Sequence, residues 1–336
     1  MVTATLFNDQ KKRASNIDAN LLRSYPYANR IVRASQVKEQ GGKDIRFDAS
    51  RGGTTHASSI GSFAVIERTV GDFLIQGTMQ MRIDHSYFSF DVMEEEFNRG
   101  EYEIMNHIDN REQQAMIDMV KKIEQDGWGN ATYGDNLTPQ GLLYWLPYCA
   151  SAGFVGTYPE SYTSVAGINP NTHTGWKSYG DVYVAVTDAD LILKVRTALS
   201  ETDFKAPLSS MKVKDYSTGS KYAIYGNLDT ELEMENLLKQ QNDNQGSDLD
   251  RYNGKVMLRG IPFEEVPFLR SNTRDPILGV NWGVTKNYVK SGWWNKRIMG
   301  KPSSNQPLVV NVDLFCVHQL VMFDRRTGGF NISKAA

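Results

Sequence analysis

The sequence has few cysteines and no long apolar run. Cys149 and Cys316 are the only two cysteines in 336 residues, and they lie far apart, without the spacing of a metal-binding pair. This excludes a disulfide framework, so we interpret the two side chains as buried, reduced thiols. No stretch reaches the roughly 18 uninterrupted apolar residues that predict a membrane-spanning helix. The N-terminus lacks the apolar core of a secretion signal, and we expect no export.

Motifs of the common enzyme classes are also missing. The sequence has no GxGxxG after a predicted strand, no Walker loop, no HExxH and no GxSxG. The five histidines show no spacing typical of metal ligands, and we interpret them as structural. Residues 241–252 resemble a calcium loop only in part, because Gln241 and Tyr252 stand where acidic ligands are needed. We therefore predict no catalytic, cofactor-binding or metal site; an enzyme whose site is built from scattered residues is the alternative.

The charges that are present are segregated along the chain. Residues 1–38 hold seven Lys or Arg against two Asp, a net charge of +5. Residues 84–103 and residues 229–250 each hold seven acidic residues against one basic residue, a net charge of −6. Segregated charge can steer copies of a protein together or attract a polyanion, and it can also mark a merely solvated surface.

A long hairpin is predicted in the first third of the chain. Residues 44–48 and 63–92 read as strands, and residues 49–62 between them are almost entirely small or polar, as in a loop tip. Apolar residues alternate at Met79, Met81 and Ile83, and then the phase slips to Phe88, as in a bulged strand.

The strongest helix prediction covers residues 101–126, where apolar residues recur at spacings of three, four and seven. Gly127 is predicted to end this helix as a left-handed cap. The preceding triplet Glu94, Glu95 and Glu96 could be a paired acid and base, but we interpret it as a solvated turn that favours the helix N-terminus.

The second half reads as mixed α/β. Its predicted elements are a strand and a helix with Thr187 as N-cap, a helix with the stripe Leu228, Leu232 and Leu237, paired strands in 254–269, a strand in 275–283, and two closing strands in 307–332 that turn at Gly328 and Gly329.

This order of elements resembles the major capsid proteins of tailed bacteriophages with the Hong Kong 97 type fold. Three stretches support the resemblance: "GLLYWLP" (141–147), "RGIPFEEVPFLRSNTRDPILGVN" (259–281) and "DRRTGGFN" (324–331). The resemblance implies an α+β fold with five parts. They are an N-terminal arm (1–37), an extended E-loop hairpin with flanking strands (38–92), a peripheral domain with a long spine helix (93–134), an axial domain (135–306), and closing strands of the peripheral domain (307–336).

The resemblance also implies a function. The chain would assemble with itself as hexamers and pentamers into the icosahedral shell around the double-stranded DNA of a phage, inside the host bacterial cytoplasm, and would remain in the virion. Further implied partners are a portal protein, a decoration protein, and a separate scaffolding protein, because the arm is too short to include a scaffolding segment. The residues expected to contact neighbouring subunits are Lys11, Lys12, Arg13, Met79, Met81, Ile83, Glu94, Glu95 and Glu96.

Two further points concern the same family. Some members cross-link through a loop lysine, and Lys38 and Lys43 lie near the base of this hairpin, but we interpret them as ordinary basic residues. An encapsulin-like shell, which would hold enzyme cargo instead of DNA, is the alternative function within the same fold.

Overall fold

The computed structural model describes residues 25–34, 36–39, 41–51, 59, 62, 74–91, 93, 101–202, 221–241, 256–300 and 307–335. The chain forms two compact units. The first unit comprises Met1–Lys43, Met81–Gly141 and Asn287–Leu320, and the second comprises Asp44–Gln80, Leu142–Lys286 and Val321–Ala336.

The elements largely follow the predicted order. The α-helices are α1 (Pro26–Ala34), α2 (Glu101–Trp128), α3 (Leu142–Trp145), α4 (Leu193–Glu201), α5 (Leu228–Gln241) and α6 (Arg325–Gly328). The strands are β1 (Gln36–Glu39), β2 (Asp44–Ser50), β3 (Leu74–Gln80), β4 (Arg82–Asp91), β5 (Gly153–Val155), β6 (Ser178–Tyr183), β7 (Tyr222–Gly226), β8 (Met257–Leu258), β9 (Ile261–Glu265), β10 (Ile277–Asn281), β11 (Thr285–Lys290), β12 (Lys296–Met299), β13 (Val309–Met322) and β14 (Gly329–Lys334).

The first unit consists of a five-stranded sheet with α2 packed along β4. Its strand order is β1-β11-β13-β12, and β4 also pairs with β13, antiparallel, from Arg82 opposite His318 to Asp91 opposite Val309. Phe88 points to the buried face, opposite Val312. The predicted helix over 101–126 is confirmed, with its end two residues later.

The prediction of an extended N-terminal arm over residues 1–37 was wrong for its described part. Residues 26–34 form a helix whose side chains Tyr27, Ala28 and Ile31 are buried in the first unit, and β1 pairs in parallel with β11. The physical reason is the spacing of these three residues, which puts them on one helical face against α2. The described part of the predicted arm is therefore core, while residues 1–24 lie outside the described residues.

Two glycines in the first unit allow close backbone approach. Gly127 lies inside α2 and not at a left-handed cap, so that prediction was wrong; a Cβ atom there would overlap the ring of Tyr27. A Cβ atom at Gly141 would overlap the carbonyl oxygens of Asp126, Gly127 and Gly129. Both positions therefore need glycine for space.

The second unit is built on a seven-stranded sheet of order β5-β6-β14-β10-β7-β9-β8. Its core includes Leu191, Val195 and Ile224, all fully buried. The predicted strand-to-helix step at Thr187 is confirmed, since the Thr187 hydroxyl accepts a hydrogen bond from the Asp190 amide. The buried stripe of α5 differs from the prediction.

That stripe contains Met234 and Thr230, and Leu232 is exposed. Leucines alone did not identify the buried face, because the sheet contacts a helix face that also carries methionine and threonine.

The domain boundaries also differ from the predicted ones. The closing strands were both expected in the peripheral domain, but β13 lies mainly in the first unit and β14 lies in the second unit, between β10 and β6. Strands β11 and β12, expected in the axial range 135–306, pair with β1 and β13. Sequence order does not reveal these partners, because strand pairing is non-local.

The hairpin prediction is confirmed at its base. Strands β2 and β3 pair antiparallel from Asp44 opposite Gln80 to Ser50 opposite Leu74. Phe47 is buried, and its ring lies 6.2 Å from that of Trp145, 5.9 Å from Trp176 and 5.8 Å from Phe323. The base of the hairpin thus covers a core of its own unit. Most of the predicted tip, 49–62, lies outside the described residues.

A fully buried arginine holds the second unit together. Arg325 donates hydrogen bonds from Nε to the Trp145 carbonyl (2.8 Å) and from its terminal nitrogens to the carbonyls of Trp176 (3.0 Å) and Thr157 (3.2 Å) and to the Ser178 hydroxyl (3.0 Å). Burial lowers the pKa of Arg325 to about 9, so the side chain stays charged at neutral pH.

We expect Arg325→Met to lower the free energy of unfolding by about 2–4 kcal/mol, because two buried carbonyls and one half-buried carbonyl lose their donors while the cost of burying the charge is also removed. The matched control is Arg326→Met. Arg326 is exposed and lies over the Phe154 ring at 4.3 Å, so its loss should cost less than about 1 kcal/mol. Urea unfolding measures both, and equal losses would contradict a structural role of the buried charge.

Candidate functional site

The predicted contact residues divide into two groups. Lys11, Lys12 and Arg13, together with Glu94, Glu95 and Glu96, lie outside the described residues, and their contacts stay predictions. The remaining three, Met79, Met81 and Ile83, lie around the junction of β3 and β4.

Met79 and Met81 are each 7% exposed, whereas Ile83 is 59% exposed. The phase slip therefore falls at Met81, where the chain leaves its pairing with β2 and joins β13 at Arg82. The two methionines are core side chains of their own chain, which corrects the expectation that they face a neighbour. Ile83 keeps its place as a candidate.

One face of the β4–β13 ladder is covered by α2. The Ser86 hydroxyl donates to the Ala115 carbonyl (2.9 Å), and Arg111 donates to the Ser89 carbonyl (3.2 Å). Because side chains alternate along a strand, the odd-numbered residues of β4 point to the other side of the sheet.

That other side, formed by β4, β13 and β12, is here called the open face. Tyr87 is 65% exposed and Ile298 is 38% exposed, and together with Ile83 they make much of the open face apolar. Their cross-strand neighbours are Val317 opposite Ile83 and Asp313 opposite Tyr87. An antiparallel sheet usually turns polar side chains to water, so this composition indicates a contact surface.

Aromatic contacts and one cation order the open face. The His85 ring lies 4.9 Å from the Phe315 ring, and its Nε2 lies 2.8 Å from Asp313 Oδ1. Phe315 contacts Trp293 at 6.3 Å, and the Lys296 ammonium lies 3.9 Å from the Trp293 ring. Aromatic side chains held in this way lose little conformational entropy on binding, which is typical of interface residues.

A groove of about 810 Å³ lies beside the open face, between the edge of β4 and α2. Its strand side includes the aromatic residues His85, Tyr87, Phe88 and Phe90, and its helix side includes Arg111, Gln114 and Asp118. Among the described residues, β4 pairs only with β13, so this edge of the sheet borders the groove.

The first unit also contains a buried contact between His318 and Asp84. His318 Nε2 lies 2.7 Å from Asp84 Oδ2, and His318 Nδ1 lies 3.3 Å from Asn287 Oδ1. Cys316 lies on the same strand, and burial, reinforced by Asp84, raises the pKa of its thiol to about 12. The thiol therefore stays protonated at neutral pH and is a poor nucleophile.

The two cysteines are free and buried, as predicted. Within the described ranges, no three His, Cys, Asp or Glu side chains could hold a metal ion together. No helix in the same part of the chain is long and apolar enough to span a membrane.

Sequence reasoning missed most of the open face. His85 and Tyr87 alternate along β4 with the residues that face α2. Phe315 and Lys296 join them only through strand pairing, and Trp293 only through its contact with the Phe315 ring. The available signal was the aromatic Tyr87 on the face opposite Phe88.

Comparison with known proteins gives a consistent result for the fold. No protein-family model matches the chain, and no curated protein matches it. Among solved structures, the capsid asymmetric unit of cyanophage A-1(L) matches with a TM-score of 0.62 at 15% identity, covering 90% of each chain. The capsid of a native GTA particle matches with a TM-score of 0.53 at 11% identity, covering 92% of this chain and 91% of that one.

A structure from Mycobacterium phage Bobi matches with a TM-score of 0.50 at 11% identity, covering 94% of this chain and 90% of that one. At sequence identities this low, the structural matches show a shared fold alone. The α+β class and the capsid fold that the sequence resemblance implied are therefore confirmed: the chain has the fold of tailed-phage capsid structures over nine-tenths of its length.

Proposed function

We propose that this chain is a major capsid protein, which assembles with itself into the icosahedral shell around the double-stranded DNA of a tailed phage. The observation that carries the proposal is the likeness to the cyanophage A-1(L) capsid subunit over 90% of both chains. A fold shared over that much of the chain includes both units, so the likeness is not limited to one common substructure.

The open face supplies a physical basis for assembly. Its exposed Ile83, Tyr87 and Ile298 would leave water when a second copy covers them, and each apolar side chain buried in this way contributes on the order of 1–2 kcal/mol. Contacts of this size are weak singly, but a closed shell repeats them around every subunit.

The two units receive roles under the same proposal. The first unit, with α2 as its spine helix, acts as the peripheral domain, and the second unit acts as the axial domain. Hairpin β2–β3 is the root of an E-loop that reaches a neighbouring subunit in hexamers and pentamers. Residues 1–24, with Lys11, Lys12 and Arg13, contact acidic segments such as Glu94–Glu96 of adjacent copies or the packaged DNA.

Other partners follow from the same proposal: a separate scaffolding protein, a portal protein and a decoration protein. Assembly would take place in the cytoplasm of the host bacterium, and the protein would end in the virion.

Electron microscopy of the purified full-length chain tests the proposal. We expect closed or partly closed shells, alone or with a scaffolding protein, and nucleic acid inside particles recovered from infected cells. Particles that contain an enzyme and no nucleic acid would identify an encapsulin-like compartment. A chain that stays monomeric at high concentration, with and without a scaffolding protein, would overturn the proposal.

We expect Tyr87→Glu to reduce the yield of particles at least about ten-fold, because a charge on the open face costs more than about 1.4 kcal/mol per contact when it is buried against a second copy. The free energy of unfolding should change by less than about 1 kcal/mol, since Tyr87 is exposed in the subunit. Particle counts and thermal melts measure the two effects.

Two further variants of the same strand serve as controls. Tyr87→Phe should assemble normally, because it keeps the ring. Phe88→Glu should destabilise the subunit by several kcal/mol, because Phe88 points into the core. Normal assembly of Tyr87→Glu would show that the open face is not a contact surface.

We expect the triple change Lys11→Glu, Lys12→Glu and Arg13→Glu to impair assembly and to leave the melting temperature of the subunit within about 2 °C of the unchanged protein. The physical reason is the loss of attraction between this basic segment and acidic partners. The charge-conserving change Lys11→Arg, Lys12→Arg and Arg13→Lys is the matched control. Equal assembly of both triple variants would exclude an electrostatic role.

A further inference from the structure

The base of the β2–β3 hairpin is bound along its length by one segment of the second unit. Near the inner end of the base, the Thr78 amide of β3 donates to the Ala166 carbonyl at 3.0 Å. Just beyond the outer end of β2, the Arg51 carbonyl accepts a hydrogen bond from the Gly175 amide at 3.3 Å. Residues 165–176, which supply both partners, are here called the brace.

These two hydrogen bonds lie far apart on the hairpin. Thr78 lies opposite Arg46, and Arg51 follows about five residues later, which at about 3.4 Å per residue is a separation of about 17 Å. A two-stranded ribbon held at one point can swing about that point. Two points this far apart fix the direction of the ribbon.

The bond from Thr78 does not compete with pairing inside the hairpin. In an antiparallel pair, the amides of one strand point alternately toward the partner strand and away from it. The Met81 amide donates to the Lys43 carbonyl at 3.0 Å, across the hairpin. The Thr78 amide, three positions earlier, therefore points away from β2 and is available to the brace.

The brace is closed on itself. The Trp176 indole nitrogen donates to the Val165 carbonyl at 3.1 Å, and Val165 and Ile168 exchange backbone hydrogen bonds of 2.9 and 3.0 Å. A loop of this length whose ends are bonded is a compact structure of its own. Because the Trp176 ring also lies 5.9 Å from the ring of Phe47 in β2, the brace packs against the hairpin as well as bonding to it.

The turn that presents the Ala166 carbonyl is strained. Ala166 and Gly167 have φ angles of 53° and 79°, as in a two-residue turn of type I′. Glycine adopts this conformation freely, whereas the Cβ atom of an alanine opposes it. The Ala166 amide donates to the buried Tyr144 hydroxyl at 2.8 Å. This hydroxyl therefore stabilises the conformation that directs the Ala166 carbonyl toward Thr78.

We propose that the brace fixes the direction in which the hairpin projects from the second unit, and that the Tyr144 hydroxyl is the positioning group that keeps the brace in shape. The contacts named above lie within one chain, so the fixed direction is a property of the single subunit. Its consequence for assembly rests on the proposed function, because a hairpin that reaches a neighbouring subunit must leave every copy in the same direction.

Hydrogen–deuterium exchange of the full-length, unassembled chain tests the role of Tyr144. We expect Tyr144→Phe to raise the opening constant of the Thr78 amide about ten-fold, because the Ala166 amide loses its acceptor in a strained turn. Tyr148→Phe is the matched control, since the Tyr148 hydroxyl accepts its 2.6 Å hydrogen bond from Asn272. It should leave the opening constant within about two-fold of the unchanged protein. Equal increases in both variants would overturn the positioning role.

Distances between two spin labels test the direction of the hairpin. One label replaces Leu74, which is exposed at the outer end of β3, and the other replaces Leu232, which is exposed on α5 of the same unit. Electron–electron double resonance on the full-length, unassembled chain should give one narrow distribution of distances. Thr78→Pro, which removes the amide that the brace binds, should broaden or shift this distribution.

Gln76→Pro is the matched control for this measurement. Gln76 is the next outward position on β3, is exposed like Thr78, and lies nearer to the label, yet it should keep the narrow distribution. A distribution that Thr78→Pro leaves unchanged would overturn the proposal, and so would equal broadening in both proline variants.

Two further outcomes are informative. If Thr78→Pro does not fold, the same distances in Tyr144→Phe and Tyr148→Phe decide: broadening in Tyr144→Phe alone supports the brace, and equal distributions overturn it. Broadening by Thr78→Pro in a chain that never assembles would support the brace and count against the proposed function alone.

Discussion

Arg325 lies in the interior of the second unit, and its positive charge is stabilised by four neutral oxygens: the carbonyls of Trp145, Trp176 and Thr157 and the hydroxyl of Ser178. A buried charge keeps its place only if such oxygens stay in position, so it fixes four separate positions of the chain at once. The rings of Trp145 and Trp176 also receive Phe47 of the hairpin. The base of the hairpin therefore depends on a side chain almost 280 residues further along the chain.

In the first unit, helix α2 packs against two different elements, the β4–β13 ladder and α1. Helix α2 covers the buried face of the β4–β13 ladder through residues such as Ala115, and with Glu124 near its end it caps α1. The opposite side of the ladder is left with exposed apolar side chains, Tyr87 foremost. The sheet is therefore packed against α2 on one side and leaves apolar side chains exposed on the other.

Local patterns allowed much of this to be predicted from the sequence. The stripe of α2, the hairpin base and the Thr187 cap depend on neighbouring residues, and the structure has all three. What failed depends on distant partners. Met81 is buried because the chain changes its partner strand there, and Asp84 is buried because His318 meets it from β13. The open face needed the same information, since Phe315 reaches His85 only through the register of two strands that lie more than 220 residues apart.

Gly141 limits how this part of the chain can vary during evolution. The atoms that would meet its Cβ are carbonyl oxygens of Asp126, Gly127 and Gly129, and backbone oxygens cannot rotate away as a side chain can. Any other residue would displace the end of α2, which carries Trp128 and, one turn before it, Glu124. Selection at this codon therefore acts on the path of the main chain and not on side-chain chemistry, so that only synonymous changes are neutral there.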